Sequence, residues 1–461
     1  MAIPGVLALT GILSWVLGNG AALVLACTVA AVVGFFTLWE WLFRKAPTRF
    51  STLMGMALLL GYGAGALNTW ITLPRGSLTL SDVMGLPRGV LARGIGAVLL
   101  CSAILYFLGE IYEKPIFGRD FRFSVNGRTR TLVCLGALAM VGGYATHVLE
   151  FMGPASTGGH LSPAGAFLEW FYPSVTAIGI VAFLTAPRGK AKVFCGAAAL
   201  ILLLLFSVMG RRHSMYTSVE ILLVLELSGY HWKGSAVRKA LMIAALAGVV
   251  AVCSLAFMLF RIAGDTAPRT DQVTVAKRIN LAGKMVDKGG AVALAGSATQ
   301  LNLQKRTFIL AFFAGVLDAS MRKTPALGRD AIEQLQSAIP RLIYPNKNVS
   351  LSEEEMDDQV FGLAYGDEAN SVLTGGATDF GLLGVIIYPL LMVALYRVIF
   401  DATAKFLGVV PLMFVALSLI YAMIETEMTL SSYFESLRVA PFFGLAIALF
   451  MALPVIKLRA E

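Results

Sequence analysis

Two adjacent arginines, Arg211 and Arg212, open a polar stripe in an otherwise apolar stretch, MGRRHSMYTSVEILLVL at 209–225. Four-residue steps carry that stripe from Arg212 to Tyr216 and Glu220, which is one face of a helix. A guanidinium is planar and grips phosphate oxygens two at a time, so arginines at a membrane edge suit an anionic, lipid-linked ligand. Snorkelling to lipid headgroups is the plainer reading of the arginines, and pairing with Arg212 is the plainer reading of Glu220. A second basic cluster lies in AIPRLIYPNK at 338–347, where Arg341 and Lys347 bracket a proline-stiffened turn. Placed near Arg211 and Arg212, they would hold both phosphates of a diphosphate and offset the charge that a leaving group gains. A diphosphate leaves without an acid. An acceptor hydroxyl is the harder partner, since it needs orientation and a base. Asp367, Glu368 and Asp379 are the nearby carboxylates, and Glu368 and Asp379 are the base candidates. Of the histidines, His147, His160, His213 and His231, only His213 stands beside this chemistry, with a structural or solvated role as its alternative. The histidines form no metal-ligand pattern, and Walker, dinucleotide-binding and HExxH motifs are absent. No cofactor or metal is expected, and the energy must come from the substrate bond.

The elements that must position these groups are membrane helices. The chain is 57% hydrophobic and 14% charged, against about 25% charged for a soluble domain. Twelve apolar segments are expected as spans: about 2–17, 21–43, 51–71, 90–110, 131–149, 165–186, 193–210, 214–231, 239–260, 376–399, 405–425 and 438–456. The segment 214–231 is the weakest, because it holds Glu220 and Glu226; a partly re-entrant helix is its alternative. Cys27, Cys101, Cys134, Cys195 and Cys253 all lie in apolar segments without CxxC spacing and read as packing residues. The N-terminus lacks a basic n-region, so no cleaved signal peptide is expected. The run Gly61, Gly63, Gly65 allows a close helix contact or a local bend.

Net charge is +9, but the surplus does not suggest nucleic acid, because it collects in alternate short loops. Arg44, Lys45 and Arg49 follow the second segment, Lys114 to Arg130 the fourth, Arg188, Lys190 and Lys192 the sixth, and Lys233, Arg238 and Lys239 the eighth. That alternation predicts cytoplasmic termini. It also sets residues 262–373 outside, in the periplasm of a Gram-negative cell, and divides the chain into a bundle at 1–261, an external segment at 262–373 and a bundle at 374–461. The external segment carries 12 Lys/Arg and 13 Asp/Glu. Its length argues against an unstructured connection. Lys277, Lys284 and Lys288 share one helical face, near Arg278. TFILAFFAGVL at 307–317 is too short to span and predicts a buried or interfacial helix. Residues 325–340 predict a short helix closed by Pro340. SEEEMDD at 352–358 predicts a solvated acidic helix start, with divalent metal binding as the sharper alternative.

The chain resembles the bacterial O-antigen and exopolysaccharide polymerases, the Wzy-like oligosaccharide-repeat-unit polymerases. The resemblance rests on the arginines of 209–225, on AIPRLIYPNK, on FGLLGVIIYPLL at 380–391, and on the large external segment before the last spans. It covers roughly 205–400; the N-terminal half matches only as generic spans. Asn346 stands where the family often has Asp, and 362–379 lacks the family's acidic-aromatic pattern. The resemblance implies an all-α polytopic, GT-C-like glycosyltransferase of the bacterial inner membrane, with about 12 transmembrane helices. Such an enzyme moves a growing glycan from undecaprenyl diphosphate to the non-reducing end of another lipid-linked repeat, with a chain-length regulator as a further partner. It assigns Arg211 or Arg212 and Arg341 to the diphosphate, with Lys347 in support, and gives Gly381 and Gly384 a tight packing role. A lipid-linked glycan flippase or transporter is the alternative, as is an O-antigen ligase; the absence of histidine from 262–373 weighs against the ligase.

Overall fold

The computed structural model describes residues 2–453 apart from 44–46, 73–84, 119–120, 155, 158–159, 230–235, 266–273, 288–289, 291–292, 299–308, 340–343, 345–351 and 364–369. The described chain is nearly all helical, with two antiparallel two-stranded hairpins between 149 and 161. Among the described residues, eight helices are long and apolar enough to cross a membrane: Gly20–Leu42, Phe50–Trp70, Arg88–Ile111, Pro163–Thr185, Lys190–Met209, Val237–Asp265, Leu382–Phe406 and Leu430–Ala452. Ala2–Leu17 and Val409–Ile424 are apolar but shorter. Gly127–Ala145 and Arg211–Leu227 form helices where spans were expected, but fall outside both sets. This is an all-α polytopic membrane protein.

Contacts divide the chain into two units. The first comprises Met1–Arg119, Leu301–Ile399 and Ala422–Arg438. Its centre is helix 88–111, buried along most of its length. Gly61 and Gly63 fall in a π-helical segment, Leu59–Ala64, which Gly65 closes and within which Tyr62 reaches Ser371 Oγ at 2.6 Å. The expected short helix at 307–317 is Ile309–Arg322, with every residue from Ile309 to Leu317 buried. Helix Arg329–Ala338 matches the expected 325–340. SEEEMDD starts helix Glu353–Phe361 through a capping box, in which Ser352 Oγ accepts from Glu355 N while Glu355 accepts from Ser352 N. One face of that start is buried rather than solvated: Met356 and Asp357 are at most 1% exposed. The expected span 376–399 is two helices, Val372–Phe380 and Leu382–Phe406, broken at Gly381 with φ +58°. Their backbones touch at Gly376 and Gly384, where a Cβ on either would strike the other's carbonyl oxygen.

The second unit comprises Asp120–Gln300, Phe400–Tyr421 and Val439–Glu461. Asn126 caps helix 127–145 by accepting from Thr129 N, and Ser162 caps helix 163–185 with Pro163 in the first turn. Phe171 stacks on Phe414 with ring centres 5.7 Å apart, and Phe443 meets both edge-on. Helix 211–227 packs on helix 163–185 and on Ala236–Asp265. Gly210, at φ +111°, ends the short helix Phe206–Met209 and starts helix 211–227. That conformation costs a glycine little, and it sets Arg211, Arg212 and His213 in the first turn.

Candidate functional site

The second unit gathers its chemistry around His213. Its Nδ1 lies 3.1 Å from the Tyr421 hydroxyl, and its Nε2 lies 3.4 Å from Glu169 Oε1. A carboxylate only accepts, so Nε2 carries the hydrogen toward Glu169, and in the neutral ring Nδ1 accepts from Tyr421. The imidazole is thus held in orientation between Tyr421 and Glu169. The side chains of His213 and Glu169 are 15% and 27% exposed, so the pair is desolvated yet reachable. Aromatic rings frame it. Tyr421 stacks on the imidazole at 5.7 Å, while Trp170 and Tyr216 meet Tyr421 edge-on at 6.4 and 5.7 Å. Tyr172 presents its edge to His213 at 6.1 Å and anchors its hydroxyl on the Leu202 carbonyl at 2.7 Å. Tyr144 donates to Met209 Sδ at 2.9 Å, which ties down the chain just before Gly210.

The expected face of Arg212, Tyr216 and Glu220 separates into three environments. Arg212 is exposed, Tyr216 is half-buried against Tyr421, and Glu220 is fully buried. The pairing of Glu220 with Arg212 does not form: neither Glu220 carboxyl oxygen has a hydrogen-bond partner among the described residues. The two are eight residues apart, about 12 Å along the axis. Arg211 lies in the helix, but its side chain is outside the described residues, as are Arg341, Lys347, Asp367 and Glu368.

Asp379 sits in the first unit and is fully buried. Its Oδ1 accepts from Asp330 N at 3.0 Å; its Oδ2 accepts from Ala331 N at 2.9 Å and from Tyr388 Oη at 2.6 Å. Those two amides belong to the first turn of helix 329–338, so Asp379 caps that helix across the fold. Two further carboxyls crowd it. Asp330 Oδ1 accepts from Gln334, and Asp357 Oδ1 accepts from Thr378 Oγ1 at 2.5 Å, while the second oxygen of each has no partner among the described residues. Burial, reinforced by neighbouring carboxylates, pushes Asp330 up to about 7 and Asp357 up to about 8. Among the described residues no group of three or more His, Cys, Asp or Glu is placed to hold a metal ion.

Sequence reasoning found His213 and missed its partners. Glu169 is the one charged residue in the apolar run 165–186, and a lone intramembrane carboxylate is itself a functional signal. Tyr421 carries no such mark. No protein-family model, no curated protein and no solved structure matches the chain.

Proposed function

We propose that the protein is a membrane glycosyltransferase that polymerises lipid-linked oligosaccharide repeats. The observation that carries the reading is the juxtaposition in one helical turn of Arg211, Arg212 and a histidine held between Glu169 and Tyr421. Such a turn combines cationic groups and a positive dipole end for a diphosphate with a partly desolvated carboxylate for a hydroxyl. In the proposed step the acceptor hydroxyl oxygen bonds to the donor's anomeric carbon. The bond from that carbon to the diphosphate oxygen breaks, and undecaprenyl diphosphate leaves with the electron pair. Glu169 takes the hydroxyl proton, while His213 orients Glu169 and Tyr421 fixes His213. Arg211 and Arg212 meet the charge that grows on the leaving diphosphate. Arg341 and Lys347 enter the reading through sequence alone, by their resemblance to the family's Pro-Arg…Pro-x-Lys element. Asp379, occupied as a helix cap, is assigned no proton transfer. The proposed setting is the bacterial inner membrane, with both termini cytoplasmic and 262–373 outside.

Purified protein given undecaprenyl diphosphate-linked repeats should make longer lipid-linked chains without ATP or a nucleotide sugar. Glu169→Gln should abolish elongation while leaving the fold intact. Arg212→Ala should lose about a hundred- to thousand-fold in rate, roughly 2.7–4 kcal/mol, if it supports the transition state. Transbilayer movement of unchanged substrate without elongation would instead identify a flippase.

A further inference from the structure

Two turns along the helix from His213, on nearly the same face, lies a carboxyl that the proposed reaction does not use. Glu220 is 0% exposed, and both its oxygens lack a hydrogen-bond partner among the described residues. Thr217, one turn back on that face, is also 0% exposed, and its hydroxyl also lacks a partner there. Charged neighbours do not neutralise the pair. On helix 163–185 the titratable groups are Glu169, engaged by His213, and Tyr172, which donates to the Leu202 carbonyl. On helix 236–265 they are Arg238, Lys239, Cys253, Arg261 and Asp265. Lys239 pairs with Glu226 at 3.3 Å, at the far end of helix 211–227, and Cys253 faces the Leu203 carbonyl. Glu220 therefore lies between the His213–Glu169 contact and the Lys239–Glu226 ion pair and belongs to neither.

An unpaired ionised carboxylate in such a place costs several kcal/mol, so one positive charge must accompany it. One carboxylate calls for one charge. A divalent ion would demand more oxygen ligands and more acidic groups than this stretch offers. We propose that Glu220, with Thr217, forms a site for a single monovalent cation, a proton or a sodium ion, on the buried face of helix 211–227. The hard oxygens of a carboxyl and a hydroxyl suit either. The site sits on the helix that carries Arg212 and His213. The inference stands on burial and on unpartnered oxygens, and it does not depend on the transferase reading.

Infrared difference spectra of the full chain in lipid vesicles, wild type against Glu220→Gln, test it directly. In sodium-free, mildly acidic buffer the wild type should show one additional carboxylic-acid carbonyl band that shifts in heavy water. Loss of that band on adding sodium at constant ionic strength identifies a sodium site; persistence identifies a proton site. A carboxylate spectrum for Glu220 in sodium-free acid, or an acid band that never shifts in heavy water, overturns the proposal. If Glu220→Gln fails to fold, dicyclohexylcarbodiimide labelling of the wild type replaces it. There the carboxyl proton moves to a carbodiimide nitrogen as the carboxyl oxygen bonds to the central carbon. The adduct should map to Glu220 and form more slowly in alkaline buffer or in sodium. No adduct at Glu220, or a rate unmoved by both, also overturns it.

Discussion

Asp357 gives the sharpest quantitative expectation. It is 1% exposed, with Thr378 on one oxygen, and burial lifts it from an ordinary 3.8 to about 8. The groups that act on it are Asp330, Glu354 and Asp379. When helix 353–361 opens, Asp357 returns to water and to its ordinary value. Between 3.8 and about 8 the closed form holds a proton that the open form releases. The sign follows: the contribution to stability is full below the ordinary value and is lost as pH rises toward about 8. The slope is about 1.4 kcal/mol per pH unit, so from about pH 5 to about pH 7 roughly 3 kcal/mol disappears. Asp330, lifted to about 7, pulls in the same direction. Asp357→Asn keeps the shape and cannot ionise, so it escapes its own share of the slope. Hydrogen exchange of peptides covering 353–361, with wild type and variant at matched pH, cancels the intrinsic rate. The variant's relative protection should grow about a hundredfold from about pH 5 to about pH 7. A ratio that stays flat, or one that falls with pH, would refute the assignment of a buried neutral acid.

Other expectations follow from the same geometry. Gly384→Ala drives a methyl into the Gly376 carbonyl and should cost roughly 1–3 kcal/mol, read as a lower unfolding midpoint. Tyr388→Phe removes the 2.6 Å bond to Asp379 and should cost about 1.5–3 kcal/mol, exposing helix 329–338 to protease. Glu113 accepts from Phe50 N at 2.7 Å and Ser51 N at 3.0 Å, capping a helix from 62 residues away. Glu113→Ala should cost about 0.5–2 kcal/mol, with faster exchange in the first turn after Arg49. Single cysteines replacing Lys190 and Gln300, in a cysteine-free background, should react with impermeant reagents from opposite faces of the membrane; reaction from one face would cancel the charge-based orientation.

The sequence showed best what is decided locally. Apolar length marked the helices, and the acidic run 352–358 marked a helix start, which the structure shows is closed by a capping box of Ser352 and Glu355. The brevity of 307–317 marked a helix that is buried without spanning. The break at Gly381 stayed hidden because FGLLG reads as continuous apolar chain. Only the crossing of Gly376 over Gly384 demands the turn. Asp379 looked available for proton transfer because the Asp330 amide it caps lies 49 residues earlier. His213 looked isolated because Tyr421 lies 208 residues downstream. These groups acquire their roles from partners that periodicity cannot supply.

A different signal survives the loss of long-range information. In an apolar run, an ionisable side chain costs free energy wherever the fold puts it, so its presence alone implies a compensating arrangement. Glu169 and Glu220 both carry that signal, and the structure resolves it in opposite ways. Glu169 is compensated by a named partner, His213, at an edge that remains 27% exposed. Glu220 is compensated by no described residue and is closed off entirely. The first arrangement suits a base that must meet a substrate hydroxyl. The second suits the monovalent cation proposed above, because a buried carboxyl without a described partner calls for one compensating charge. One helix, 211–227, presents His213 to the first and Glu220 to the second, and the seven-residue spacing puts both on one face. A cation bound at the proposed Glu220 site would therefore sit on the element that also carries His213, the partner of the proposed base.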